Sequence, residues 1–335
     1  MIVCVAGNPA IDKLFEVGEL EVGAIHRPER FVRLPGGKGI HVAQVVTALG
    51  GEAVATGILG GHGGRWLAET LANEGVAGRF AWAPDVETRS CLTVADRATG
   101  SLTEFYEDGI PASAEEWAAL TGIVEDLLTD DTIGTPDASW LAMAGSVPAA
   151  VELPGYADLI VRARRAGVAT AIDSRGPDLA RALASEPDLV KINAYEAEEL
   201  LGHAITDISH AREAAVEVRA RAGGQGHAAI VTLGEQGMVL VAPGGETWHG
   251  AVAAHGDYPV GSGDAFLGGL LTALAADPGL AWPDAVRLGL GAAAANAEVP
   301  GAARLDPQRA HQLAAEATLR RLDGGADRRK SHLRR

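Results

Sequence analysis

Short apolar runs alternate with stretches of helical periodicity along most of the chain. Ile2 to Ala6, Ala171 to Asp173, Leu189 to Ile192 and Ile230 to Leu233 have the length and apolar content of buried strands. Helical patterns follow them. Ile40 to Leu49 is closed by Gly50-Gly51, and another helix opens with Ser113 and Glu116 at capping-box spacing. This βα order predicts an α/β fold with a central, mostly parallel sheet covered by helices on both faces. Two regions break the pattern, Leu14 to Leu34 and Thr88 to Tyr106, where alternating residues flank a turn at Arg97 to Gly100. They predict a small β lid beside the main sheet. Thr129 to Ser139, rich in Asp, Thr, Gly and Pro, reads as a loop before a strand ending near Met143.

Composition narrows the picture. With 335 residues and 47% apolar content, the chain can bury one large core, here read as a single domain over residues 1–323 with the lid at about 14–34 and 88–106. Residues 324–335 are basic without an apolar pattern and read as a disordered tail. No secretory signal or membrane-spanning run is visible, and Cys4 and Cys91 sit in apolar, strand-like contexts suited to buried free thiols, so a cytoplasmic protein is expected. A formal charge of -16 argues against a nucleic-acid partner. Lysine occurs only at positions 13, 38, 191 and 330, which draws attention to Lys38 inside a glycine loop.

Chemistry concentrates in two glycine motifs. Pro259 to Gly269 reads PVGSGDAFLGG and runs into a helix with apolar residues at Phe266, Leu267, Leu270, Leu271 and Leu274. Glycines ahead of a helix expose backbone N–H groups beside the positive end of its dipole, which makes an anion cradle. Asp264 inside that cradle suits a general base next to a phosphate, with Gly261, Ser262 and Gly263 as the cradle itself. A plain N-terminal cap would account for the aspartate but not for the four glycines 261, 263, 268 and 269. Pro35 to Ala43 is a second glycine loop ahead of a helix, carrying Lys38; it lacks the leading glycine and the Ser or Thr of a Walker loop. Gly289-Leu290-Gly291 has dinucleotide-motif letters but sits in a helical alanine run, which makes it a packing motif.

At these residues the sequence resembles the ribokinase/PfkB carbohydrate kinase family, from Asn8 to about Leu305, and within it the 1-phosphofructokinase and tagatose-6-phosphate kinase subgroup. The resemblance implies a ribokinase-like fold and an ATP-dependent kinase acting on a phosphorylated sugar. Asn8-Pro9-Ala10-Ile11-Asp12 is similar to the motif whose aspartate holds sugar hydroxyls, and Gly36, Gly37, Lys38 and position 41 match the substrate loop. Glu87-Thr88-Arg89 matches the segment supplying an arginine for the substrate phosphate, Arg27 lies where a second basic lid residue is common, and Gly145-Ser146 resembles a Gly-Ser at a strand end. On the ATP side, Lys191 to Glu196 is similar to the NxxE motif, in which Asn193 and Glu196 position Mg²⁺. Thr232, Gly234 and Gly237 fall in a nucleotide loop, and Asn296 in the helix that flanks adenine. A homodimer through the lid is implied as well. His41 departs from the pattern, since asparagine is usual there. Two other readings share parts of this constellation: a kinase of an unphosphorylated sugar or nucleoside, and a non-catalytic sugar-phosphate sensor.

Overall fold

A computed structural model describes residues 1–129, 138–148 and 155–322 of the chain. The central sheet contains β1 (Ile2–Ala6), β4 (Ala53–Gly60), β5 (Ala77–Gly78), β9 (Trp140–Ala144), β10 (Ala169–Asp173), β11 (Leu189–Asn193), β12 (Ala228–Thr232), β13 (Met238–Val241), β14 (Thr247–Ala251) and β15 (Thr318–Arg321). Its spatial order is β15-β14-β13-β12-β11-β10-β9-β1-β4-β5, with β6 (Ala81–Ala83) also paired to β4. From β4 to β12 the pairs are parallel, and β13, β14 and β15 close that edge antiparallel. The simple βα order therefore stops at β12. Gly237, at a φ of 84°, turns the chain straight back into β13, leaving no room for a crossover helix.

Strand alternation divides the core between the two faces. Val3 and Val5 of β1 join one apolar cluster with Leu141, Met143 and Val190, under α3 (Ala114–Thr129), α4 (Gly155–Arg165), α5 (Gly176–Leu183) and α7 (Ile208–Arg221). Ile2, Cys4 and Ala6 face the opposite way and pack with α1 (Lys38–Ala48), α2 (Gly61–Asn73), α8 (Ser262–Ala276) and α9 (Trp282–Ala297). Two-sided burial explains why these strands read as continuous apolar runs. Helix α3 opens with the expected capping box, Ser113 N–H donating to Glu116 Oε2 at 2.7 Å and Glu116 N–H to Ser113 Oγ at 3.2 Å.

The second sheet, in the order β3-β2-β7-β8, consists of β2 (Ala10–Val17), β3 (Arg30–Gly36), β7 (Ser90–Asp96) and β8 (Ser101–Tyr106). It covers the expected lid regions but starts earlier, at Ala10, so Asp12 lies on a lid strand rather than ahead of it. Contacts tie the lid to the far side of the cavity beneath it: Tyr258 Oη donates to Glu16 at 3.2 Å. Segments 130–137 and 323–335, where a loop and a basic tail were expected, lie outside the described residues. Among the described residues no helix is long and apolar enough to cross a membrane.

Two glycines of the Pro259 to Gly269 motif belong to packing rather than to an anion cradle. A Cβ on Gly268 would stand 2.8 Å from Val45 of α1, and one on Gly269 would stand 2.6 Å from the Leu288 carbonyl oxygen of α9. They let α8 lie close against both neighbours. Gly291 does the same for α9, where a Cβ would meet the Ala310 carbonyl oxygen of α10 (Pro307–Glu316) at 2.2 Å. Gly269→Ala should therefore cost roughly 1–3 kcal/mol by overpacking. Urea unfolding would show a lower midpoint at unchanged slope; an unshifted midpoint would mean that the α8–α9 contact is slack.

Candidate active site

The parallel strands end on one side of the sheet, where chain reversals leave a crevice and helix N-termini point towards it. A cavity of about 770 Å³ lies there, between the strand ends and the lid. Asn8 after β1, Gly145 and Ser146 after β9, Ser174 after β10, Asn193 at the end of β11 and Thr232 at the end of β12 all line it. The lid contributes Asp12, Lys13 and Tyr106, and α9 the small apolar side chains Ala293, Ala294 and Ala297.

At the N-terminus of α8, Gly261 adopts a φ of 81° as N-cap, in the left-handed region that favours glycine. A Cβ there would also stand 2.6 Å from that of Ala302. Among the described residues no group accepts from the N–H of Gly263 or Asp264, whereas the Ser262 N–H is taken by the Pro259 carbonyl at 3.1 Å. The free donors are thus those of residues 263 and 264. Gly263 also makes room for a cation, since a Cβ on it would come within 2.9 Å of Lys191 Nζ. Asn296 is fully buried and donates to the Val260 carbonyl at 3.0 Å and Ser262 Oγ at 3.1 Å. It braces the loop, and the cavity wall of α9 is formed by its neighbours instead of by Asn296 itself.

Asp264 does not cap its helix. Its carboxylate accepts from His41 Nδ1 at 2.7 Å, while His41 Nε2 lies 2.9 Å from Asp12 Oδ2. His41 is thereby placed between two aspartates, one on the lid and one on α8. Burial opposes charge on its ring, but the hydrogen bonds and charges of Asp12 and Asp264 outweigh that, and the ring is pushed up to about 10. Gly36 lies directly beneath Asp12, where a Cβ would overlap the carboxyl group at 2.2 Å.

A chain of alternating charge forms the floor. Lys38 Nζ stands 2.7 Å from both Asp173 Oδ1 and Glu196 Oε1, and Lys191 Nζ stands 2.5 Å from Asp173 Oδ2. Burial alone would lower the Lys38 value; Asp173, Glu196 and Asp264 reverse that and hold it above the ordinary lysine range. Burial would likewise raise Asp173, yet Lys191 and Lys38 keep it below the ordinary carboxylate range. Asn193 caps α6 (Ala194–Leu201) in a capping box with Glu196, whose Oε2 accepts the Asn193 N–H at 2.9 Å. Glu196 therefore spends one oxygen on its own helix and the other on Lys38.

Lys38, expected at the substrate, lines the cavity with its ammonium 2.7 Å from both Asp173 and Glu196. Arg89 lines the cavity, donating to the carbonyls of Asn8 and Glu107 at 3.1 and 3.2 Å, with a buried Nε that has no partner among the described residues. Arg27 is exposed in the β2–β3 connection and lines no part of the cavity. Thr232, Gly234 and Gly237, at and after the end of β12, line the cavity as well. Ser146 lines the cavity and accepts from Asn8 Nδ2 at 3.3 Å. Asp173, Lys13 and Tyr258 were missed, because a single polar residue in a strand or a loop carries no local signal.

A family model described as "pfkB family carbohydrate kinase" matches residues 3–309. The chain belongs to that family. It is accordingly an ATP-dependent sugar kinase with the ribokinase-like fold. It is 31% identical over 279 residues to the 1-phosphofructokinase of Rhodobacter capsulatus, covering 81% of this chain and 83% of that one. A second 1-phosphofructokinase, from Haloferax volcanii, is 31% identical over 87% of this chain and 88% of its own length. Among solved structures, phosphofructokinase-2 from Escherichia coli in complex with substrates and products superposes with a TM-score of 0.82 at 27% identity, covering 94% of this chain and 98% of that one. Ribokinase of Arabidopsis thaliana, at 19% identity and a TM-score of 0.72 over 93% of this chain and 98% of that one, shares the fold.

Removing Asp173 tests the floor of this kinase. Asp173→Asn leaves two ammonium groups without their shared counter-charge, and breaking a buried ion pair from one side costs about 3–5 kcal/mol. Denaturant unfolding at neutral pH should show a loss of that size. A change under about 1 kcal/mol would mean that the network is solvated rather than buried.

Proposed function

We propose that this kinase transfers the γ-phosphoryl group of ATP to a hydroxyl of a phosphorylated ketohexose, of the fructose 1-phosphate, fructose 6-phosphate or tagatose 6-phosphate class, with Asp264 as general base. One observation carries the reading: Asp264, at a helix start whose Gly263 and Asp264 N–H groups have no acceptor among the described residues, lines the same cavity as the sugar-type residues Asp12 and Arg89 and the nucleotide-type residues Thr232, Gly234 and Gly237. The hydroxyl proton passes to Asp264, the oxygen forms its bond to the γ-phosphorus, and the bond to the β-phosphate bridging oxygen breaks, releasing ADP. The amides of Gly263 and Asp264 and the ammonium of Lys191 meet the charge on the transferring group. Lys38, held by Asp173 and Glu196, adds a second cation on the same side.

Mg²⁺ fits as a partner of Glu196 through water and of the ATP phosphates. Among the described residues no three His, Cys, Asp or Glu side chains gather into a protein cage, and Mg²⁺ ordinarily combines one or two carboxylates with phosphate oxygens and water. When bound it would offset the charge of the β- and γ-phosphates. The outer lid also exposes Phe31 and Phe105, at 55% and 58%, and we read that apolar surface as the contact of a homodimer.

An ADP-release assay against fructose 1-phosphate, fructose 6-phosphate, tagatose 6-phosphate, ribose and adenosine tests the substrate class; preference for a neutral sugar or nucleoside would replace the phosphosugar reading. Asp264→Asn should keep ATP affinity and lower kcat at least ~10²-fold. Near-normal turnover by the folded variant would exclude Asp264 as the base. For Arg89→Ala, loss of a charge-assisted contact of roughly 1.5–3 kcal/mol should raise the phosphosugar KM by about one to two decades and leave its dephosphorylated analogue nearly unaffected. Equal effects on both substrates would remove the phosphate from Arg89.

A further inference from the structure

The Asp12–His41–Asp264 contact raises a proton-counting problem. Both ring nitrogens of His41 lie at hydrogen-bond distance from a carboxylate oxygen, 2.9 Å to Asp12 and 2.7 Å to Asp264. A charged carboxylate only accepts, and a neutral imidazole carries one N–H. Two such contacts therefore require one proton more than two carboxylates and a neutral ring contain. His41 is 5% exposed and Asp264 6%, so water cannot take over either contact cheaply.

The neighbouring elements offer no competing explanation. Of the titratable groups on β1, β4, β9 and α8 packed against α1, there are only Cys4, whose thiol burial pushes well up, and Asp264 itself. On β3, Arg33 stacks on the Trp66 ring at 3.8 Å and Arg30 pairs with Glu16 at 3.8 Å. On β2, Glu16 also accepts from Tyr258, and Lys13 faces the cavity. Lys38, one turn before His41 on α1, is engaged by Asp173 and Glu196.

We propose that His41 is an imidazolium at neutral pH that acts as a positioning residue, donating from one edge to the base Asp264 and from the other to the sugar-binding Asp12. The proposal deepens the kinase reading and rests on it for the roles of the two aspartates. The ring sets the spacing between them and leaves one oxygen of each, Oδ1, to meet the substrate. Asparagine, usual at this position in the resembling loop, has two N–H groups on a single nitrogen and cannot present donors on opposite edges of a rigid plane. Here the lid and the base are therefore linked by charge, and the acceptor hydroxyl is presented at a distance fixed by the imidazole.

The charge has a pH signature. Because folding raises the His41 value from the ordinary 6.5 to about 10, its contribution to stability is complete below about 6.5 and is lost as pH rises through about 10. The stability gap between wild type and His41→Asn should narrow across that window.

The decisive measurement is ring-nitrogen NMR of histidine-labelled, ligand-free full-length enzyme at about pH 8, where an ordinary histidine is neutral. Of the ten histidines, one should show two protonated ring nitrogens, and that signal should vanish in His41→Asn. A His41 signal with one bare nitrogen overturns the proposal whether or not the protein phosphorylates a sugar. Kinetics supply the second arm: kcat should hold from about pH 6.5 to 9 and fall near 10, and His41→Asn and His41→Gln should lose about tenfold or more in kcat at pH 8 together with that alkaline limb. An alkaline limb that persists in the variants overturns the positioning role. Should the variants fail to fold, the wild-type NMR result still decides the proposal.

Discussion

Four charges hold the cavity floor, in the sequence Lys191, Asp173, Lys38, Glu196, three of them buried and Lys38 half-buried, and each reaches it from a different piece of the fold. Lys191 lies on β11, Asp173 at the tip of β10, Lys38 at the start of α1 and Glu196 in the first turn of α6. Charges withdrawn from water are tolerable only when each has its counter-charge at contact distance. The network therefore locks the ends of two strands and two helices into one register. It also brings two of the chain's few lysines, each balanced by a carboxylate, to the cavity of an otherwise strongly acidic chain.

The lid depends on that floor through fewer and weaker links. Asp12 meets His41, Glu16 meets Tyr258, and a Cβ on Gly301 would stand 2.5 Å from the side chain of Leu34 on β3. These contacts join the lid to α1 and to the loops around Tyr258 and Gly301. Apart from the charged Asp12–His41 link, these are single contacts, few enough for a lid that admits substrate and then excludes water.

The glycines divide by role. Gly261 supplies a backbone turn that no other residue adopts without strain, and Gly36 and Gly263 clear space for a carboxylate and an ammonium. Gly268, Gly269 and Gly291 serve helix packing, where an added methyl group would strike a neighbouring helix. One run of glycines in the sequence thus combines site chemistry with core packing, and letter counting cannot separate the two.

Strands β1, β9, β10 and β11, the helix after Gly37, the lid and the glycine-flanked Asp264 were all legible from the sequence, because each rests on local physics: apolar period, turn chemistry and the exposed donors of a helix start. The antiparallel edge after β12 was less so, since it hangs on one tight turn at Gly237. Contact identity was not legible at all. Lys38 looked like a free cation for the substrate until Asp173 and Glu196, 135 and 158 residues away, were brought against it. Asn296 looked like a nucleotide contact until burial turned it towards Val260 and Ser262. His41 read as a departure from the usual asparagine, and only the fold sets it between aspartates 29 and 223 residues distant. The sequence alone determined which residues could carry charge and where the backbone could open to an anion; only tertiary structure decided which charges satisfy one another, because pairing depends on distances that close when the sheet and the lid come together.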